Sequence, residues 1–449
     1  MDPLPALLSA LPTSRRIVFL SPGLTDPENL EVFLEAISGV LDQEDPVPVG
    51  WSGALEALGT RAPITLVVGG ARSLAVANRK LWKSWGESWD KIRRTGARFH
   101  LFLVDDQYKL GDTLNARDSP FRNPAARLGT PGAEPDPVET LRIGPASHYD
   151  LGEAAPTWTG MDLLVAWALL GGSPSNWGAF PGSSSPLRAA RDLYLGGDQG
   201  PPPPDKLLAR YVQAPHRYAS ILSAIAAGAR SWREVSSRVG EASTTRSASG
   251  PYLQRLGELG LIAVDKPVGA SPKARRSRYR LTDPHEAFWW ARFHPLRSAL
   301  ASAPDPQELW RERLQPFLRP HVMAVLPQVL LAFLRRGSEP LLGAVAREVG
   351  PLWGDGFDLP AAGTLHHGGV CYAQIHQGSG PADLPMLSDL EEQIREARYG
   401  FGRQARIRLL VSITGFSEAL KREAARNSLV RLLGVADLTA PPESSRAAA

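Results

Sequence analysis

Only one cysteine, Cys371, stands in the 449 residues. A single thiol excludes an internal disulfide framework and a cysteine-based zinc site, and it fits a reducing cytoplasm. No uninterrupted apolar run looks long enough to span a bilayer, so no membrane partner is expected. In the opening stretch MDPLPALLSALPTSRR the basic residues follow the apolar ones, the wrong order for a secretion signal. No short-period repeat is present. Net charge is also small: 50 Lys and Arg against 46 Asp and Glu leave +4 at pH 7. Any affinity for a polyanion must therefore come from local clusters. Glycine (42) and proline (40) are plentiful, and they sit mainly in loops and linkers such as the segment at 181–204 that ends in PPPP. Length alone suggests about three domains.

The most informative stretch is 215–281. Tyr218, Ile221, Leu222 and Ile225 recur at helical spacing, and Gly228 ends that helix. Ser231 followed by Glu234 reads as a capping box that opens a second helix, with Trp232, Val235 and Val239 inward. After a polar turn at 240–245, a third helix is expected to reach Leu259, burying Tyr252, Leu253, Leu256 and Leu259, with Gly260 as its cap. Two short strands, 261–264 and 277–281, then flank a basic loop. Three helices and a two-stranded ribbon spell a winged helix-turn-helix. Lys266, Lys273, Arg275, Arg276, Arg278 and Arg280 lie in or beside the wing, with Asp265 the only acid nearby in sequence. Such a cluster suits phosphate contacts to double-stranded DNA. Thr244, Thr245, Arg246, Ser247, Ser249 and Gln254 are the expected exposed face of the third helix, suited to a groove. The other reading of these residues is a module that contacts protein.

Before this stretch, apolar runs at 15–21, 62–70 and 97–104 alternate with helical patterns at 28–41 and 81–96. Strand, helix, strand, helix, strand predicts an α/β domain with a parallel sheet. Residues 159–170 form a strongly apolar helix. After the wing, the aromatic cluster in 283–300 is expected in a core, and 310–336 is mostly helical. Strands at 357–359, 370–375 and 406–413, with a helix at 387–398, suggest a small α/β domain. The tail from 440 is expected to be disordered.

Three segments carry a resemblance. They are LLGGSPSNW at 169–177, RYASILSAIAAGARSWREVSSRVG at 217–240, and SRYRLTDPHEAFWWARFHP at 277–295. In this order they resemble the archaeal-type ATPases of the AAA-like/STAND branch that carry a C-terminal winged helix and a nuclease-like domain of unknown function (family 234). The resemblance implies ATP and Mg²⁺ at a glycine-rich loop after the first strand. Here that loop keeps Pro22 and Gly23, lacks the lysine and hydroxyl pair, and puts Asp26 and Glu28 where phosphate would lie. The family's Asp-Glu after the second strand is replaced by Gly69 and Gly70; Asp105 and Asp106 end the next strand and are weaker substitutes. The C-terminal part resembles a PD-(D/E)XK nuclease. Asp358 matches its aspartate, while Gln374 and His376 stand at the glutamate and lysine positions. A metal cluster of Asp358, His366, His367 and His376 is not favoured over loop histidines.

The fold class expected is α/β. Residues 1–125 form a degenerate P-loop ATPase-like domain, 126–210 a helical extension and linker, and 211–285 the winged helix. Residues 286–439 form a small PD-(D/E)XK-like domain, and 440–449 the tail. The function expected is a non-catalytic scaffold that binds DNA or a protein, without a bound cofactor or metal. Two alternatives stay open: an ATP-binding protein or nuclease with displaced catalytic groups, and a pure protein-interaction subunit of a larger assembly.

Overall fold

A computed structural model describes residues 16–41, 46–104, 145–178, 185–196, 201–240, 249–271, 274, 276–336, 338–344, 346–366, 368–400, 402 and 405–441. They belong to two compact units, Met1–Gly144 and Pro145–Ala449.

The first unit is built on three strands: β1 (Arg16–Leu20), β2 (Ile64–Gly69) and β3 (Phe99–Val104). They pair in parallel in the order β1-β2-β3. β2 is buried along its whole length, as a central parallel strand must be. Helices Asp26–Ser38, Gly50–Gly59 and Leu81–Arg94 supply the core beside Ile17, Phe19, Leu66 and Val68. Phe33 and Trp51 stack at 5.2 Å, and Trp85 meets Trp51 edge-on at 5.8 Å. The Trp85 indole N–H donates to the Trp51 carbonyl at 3.1 Å. Gly50–Gly59 is not legible as a helix in the sequence. Glycines at 50, 53 and 59 give it low propensity, and burial of Ala54, Leu55 and Leu58 overrides that.

The second unit holds a helical layer, a three-helix module with a ribbon, and a mixed sheet. The apolar helix Gly160–Leu170 lies at its centre, with seven of its residues buried. Within Pro306–Arg336 one 18-residue window, of mean hydropathy 1.6, is long and apolar enough by composition to cross a membrane. Half of that window is buried within the protein. Its Val322, Leu326, Val329, Leu330 and Leu334 join a core that also takes in Gly160–Leu170 residues and one face of the mixed sheet. The aromatic segment packs inward as expected: Phe288, Trp289 and Trp290 are buried, the last two in a π-helical turn.

Helices Pro215–Ala226, Trp232–Val239 and Gly250–Glu258 lead into β4 (Ile262–Asp265) and β5 (Arg278–Leu281), an antiparallel pair. The mixed sheet has β6 (Ala346–Gly354), β7 (Phe357–Leu365), β8 (Val370–Ile375), β9 (Arg406–Val411) and β10 (Val430–Leu433). Its order is β10-β9-β8-β7-β6. β6, β7 and β8 are antiparallel neighbours, whereas β8, β9 and β10 run parallel. Helix Leu384–Ala397 joins β8 to β9, and Glu418–Arg426 joins β9 to β10. β6 escapes the sequence pattern because register shifts break its alternation and Pro351 interrupts it. It ends the sheet order, where a proline is tolerated.

Candidate functional site

The loop after β1 closes on itself. Gly23 takes φ +73, and Pro22 and Gly23 are exposed. Glu28 accepts from the Thr25 hydroxyl at 2.5 Å and from the Thr25 N–H at 3.1 Å. The hydroxyl first, then the amide, hold the Glu28 carboxyl below its ordinary range. Asp26 accepts from the Trp51 indole at 2.8 Å and from the Asn78 amide at 3.2 Å. Asn29 is buried and donates to the Leu24 carbonyl at 2.6 Å. Gly69 ends β2, and Gly70, at φ +68, precedes the Ala71–Ala77 helix. Asp105 and Asp106 lie outside the described residues.

In the three-helix module, Ser231 accepts from the Glu234 N–H at 3.3 Å, the expected cap. The Glu234 carboxylate takes the Arg230 N–H at 2.7 Å and the Ser231 hydroxyl at 2.9 Å. Gly240 closes that helix at φ +78. Val235, Leu253 and Leu256 are buried as read from spacing, while Trp232 and Leu259 are half-buried. Ser249 corrects the expected DNA-facing set. It is fully buried, with its hydroxyl 3.3 Å from that of Ser236, because it precedes the Gly250–Glu258 helix where that helix meets Trp232–Val239. Gln254 is exposed and donates to Glu258 at 3.0 Å. Thr244, Thr245, Arg246, Ser247, Lys273 and Arg275 lie outside the described residues.

The ribbon cations are not solitary. Arg280 pairs with Asp265 at 2.7 Å. Arg276 meets Asp355 at 3.4 Å, and Arg278 meets Asp358 at 2.6 Å with its guanidinium 4.5 Å over the Trp353 ring. Arg230 approaches Asp358 at 3.8 Å. The Val268 N–H donates to the Pro351 carbonyl at 2.9 Å, and the Gly269 N–H donates to Glu348 at 3.1 Å. Asp265 is the only nearby acid in sequence, but the fold brings Glu348, Asp355 and Asp358 to the same ribbon.

The nuclease-like positions are not assembled. Side chains alternate across a strand. Leu359 packs with Met386, Leu390 and Ile394 of the Leu384–Ala397 helix, so its neighbour Asp358 faces the other side of the sheet. Gln374 shares the face of Val370 and Tyr372, which pack under that helix. Its Oε1 is buried without a hydrogen-bond partner among the described residues. The His376 ring Nε2–H donates to the Gly380 carbonyl at 2.9 Å. His366 is exposed, and His367 lies outside the described residues. Among the described residues no group of three or more His, Cys, Asp or Glu could hold a metal ion. The Cys371 thiol is buried, which pushes its pKa up to about 12 and leaves it unreactive.

The sequence gives no sign of how the last turn of Gly160–Leu170 is satisfied. Its orphan carbonyls need donors. His321 Nε2–H donates to the Ala168 carbonyl at 2.9 Å, and His285 Nδ1–H to that of Leu169 at 2.9 Å. Asn176 serves Leu170 at 2.8 Å. Asp283 accepts from the Gly172 N–H at 3.0 Å and the His285 N–H at 2.8 Å. Burial pushes the Asp283 carboxyl up and the His285 imidazole down. Two of the resembling segments, around 169–177 and 277–295, are therefore packing partners.

No protein-family model and no curated protein matches the chain. Among solved structures, the chain is similar to a Walker-type ATPase of Pyrococcus abyssi at 16% identity. The match covers 64% of this chain and 86% of that one, with a TM-score of 0.43. Cdc6p from Pyrobaculum aerophilum is similar at 12% identity over 62% of this chain and 78% of its own, with a TM-score of 0.26. A protein of Vibrio cholerae is similar at 9% identity over 84% and 89%, with a TM-score of 0.20. These likenesses are distant, and no functional residue is carried over from them.

Proposed function

We propose that this chain is a non-catalytic AAA-like scaffold whose three helices and ribbon form a winged helix for double-stranded DNA. The observation that carries the non-catalytic part is the state of Asp358. Its carboxylate is neutralised by Arg278 and Arg230 and stands on the face opposite Gln374. A nuclease needs carboxylates grouped around a metal, not one held by guanidinium groups. The loop after β1 supports the same reading. Glu28 satisfies its own helix start, and a phosphate there would meet that negative charge. Arg217 and Arg233 add exposed cations to the module.

Calorimetric titration with millimolar Mg-ATP tests the first half; no saturable heat is expected, and micromolar binding would refute it. Plasmid and oligonucleotide substrates should stay intact with Mg²⁺ or Mn²⁺. Cleavage that disappears in Asp358→Ala would restore the nuclease reading.

The docking of the ribbon on β6 and β7 favours a second reading, a protein-interaction subunit. Absence of duplex binding at low salt, together with a stoichiometric copurifying protein, would establish it.

A further inference from the structure

Two cations in the wing are aimed at a single acidic hairpin. β6 and β7 are joined by the two residues Asp355 and Gly356, the glycine at φ +87. Such a tight turn holds Asp355 at its tip, and Asp358 follows as the second residue of the returning strand. Asp355 meets Arg276 at 3.4 Å; Asp358 meets Arg278 at 2.6 Å and Arg230 at 3.8 Å. Arg276 and Arg278 belong to the group expected to contact phosphate. A carboxylate presents oxygen acceptors to a guanidinium much as a phosphate does.

We infer that the acidic β6–β7 turn is an intramolecular phosphate mimic that masks the basic ribbon from duplex DNA. The inference rests on the winged-helix reading above.

The pairs differ in how easily they yield. The Asp355 side chain is 97% exposed and that of Arg276 62%, so water screens their attraction and a polyanion can replace it. Arg278 is only 28% exposed and lies over Trp353, which holds it in place when its acid is exchanged. The mask therefore opens from the Asp355 tip. The loop between β4 and β5 is tied separately to β6, through Val268 and Gly269, so unmasking does not require the ribbon to leave the sheet.

Fluorescence anisotropy of a labelled duplex with the full chain tests this. Asp355→Asn/Asp358→Asn should bind about tenfold tighter than the parent near ~100 mM salt. Two added phosphate contacts should steepen the log–log salt slope by roughly 1.8. Asp355→Asn alone, at a fully exposed tip that cannot disturb folding, should give about half that change in slope. Arg276→Ala/Arg278→Ala should bind more weakly and abolish the gain from the acid substitutions. If parent and acid variants bind with equal affinity and slope, the mask is refuted and the winged-helix reading stands. If neither binds at low salt, both fall.

Discussion

Arg278 donates to Asp358 at 2.6 Å while lying 4.5 Å over the ring of Trp353. The ion pair joins a ribbon strand to a strand of the mixed sheet, 80 residues apart in sequence. Asp358 is 52% exposed, so the pair itself should contribute only about 0.2–1 kcal/mol. Stacking on the indole adds about 0.5–1 kcal/mol. A double-mutant cycle of Arg278→Ala and Asp358→Ala in urea should return a coupling near the lower figure. Arg278→Lys should cost nearly as much as Arg278→Ala, because lysine keeps the charge but not the planar stack. A lysine variant as stable as the parent would remove Trp353 from the account.

Gly171 should be irreplaceable. It takes φ +71, and a Cβ there would lie 2.0 Å from the Asp283 carboxylate, which is held by the Gly172 and His285 amides. Gly171→Ala should cost about 2–4 kcal/mol through backbone strain and a displaced buried acid. Gly240 is the control. Its φ is +78, but nothing among the described residues lies within 4 Å of a Cβ, so Gly240→Ala should cost only about 1 kcal/mol. Equal losses in denaturant midpoints would show that the clash with Asp283 does not matter.

Stability should fall with acid through the buried histidines. Burial first, opposed by their carbonyl bonds, lowers His148 and His321 to about 4. The unfolded chain, with histidine near 6.5, then binds more protons than the folded one between these values. Their contribution is full above about pH 6.5 and is lost as pH drops toward about 4, by roughly 3 kcal/mol for each group. His321→Gln can still donate to Ala168 and cannot titrate. Unfolding midpoints measured from pH 7 to 4 should decline less steeply in that variant. An unchanged slope would assign the acid sensitivity elsewhere.

Asp26 should prove structural. Its carboxylate receives both the Trp51 indole N–H and the Asn78 amide, linking the Asp26–Ser38 helix to two later segments. Asp26→Ala leaves both donors without their acceptor and should cost about 1–3 kcal/mol. Calorimetry with Mg-ATP on the same variant should still show no binding. Saturable binding gained on removing the acid would mean that charge at this loop was the barrier to a nucleotide.

Local spacing decided much of the fold. The strands β1, β2 and β3 and the helix Gly160–Leu170 are legible as short apolar runs, and Pro215–Ala226 because its apolar residues recur every turn. The capping pair Ser231 and Glu234 is legible for the same reason: its partners are three residues apart. Gly50–Gly59, β6 and β10 are not, since glycine content, bulges or shortness hide their pattern and packing overrides it. The candidate site divides in the same way. Sequence alone determined which residues carry charge and where along the chain they stand. Only the tertiary structure decided what those charges do. Arg276 and Arg278 find acids 79 and 80 residues away, and the carbonyls ending Gly160–Leu170 find His285 and His321 across 116 and 153 residues. An ion pair or a cap depends on distance in space. A chain that must fold before those groups meet carries no local periodicity from which to read them.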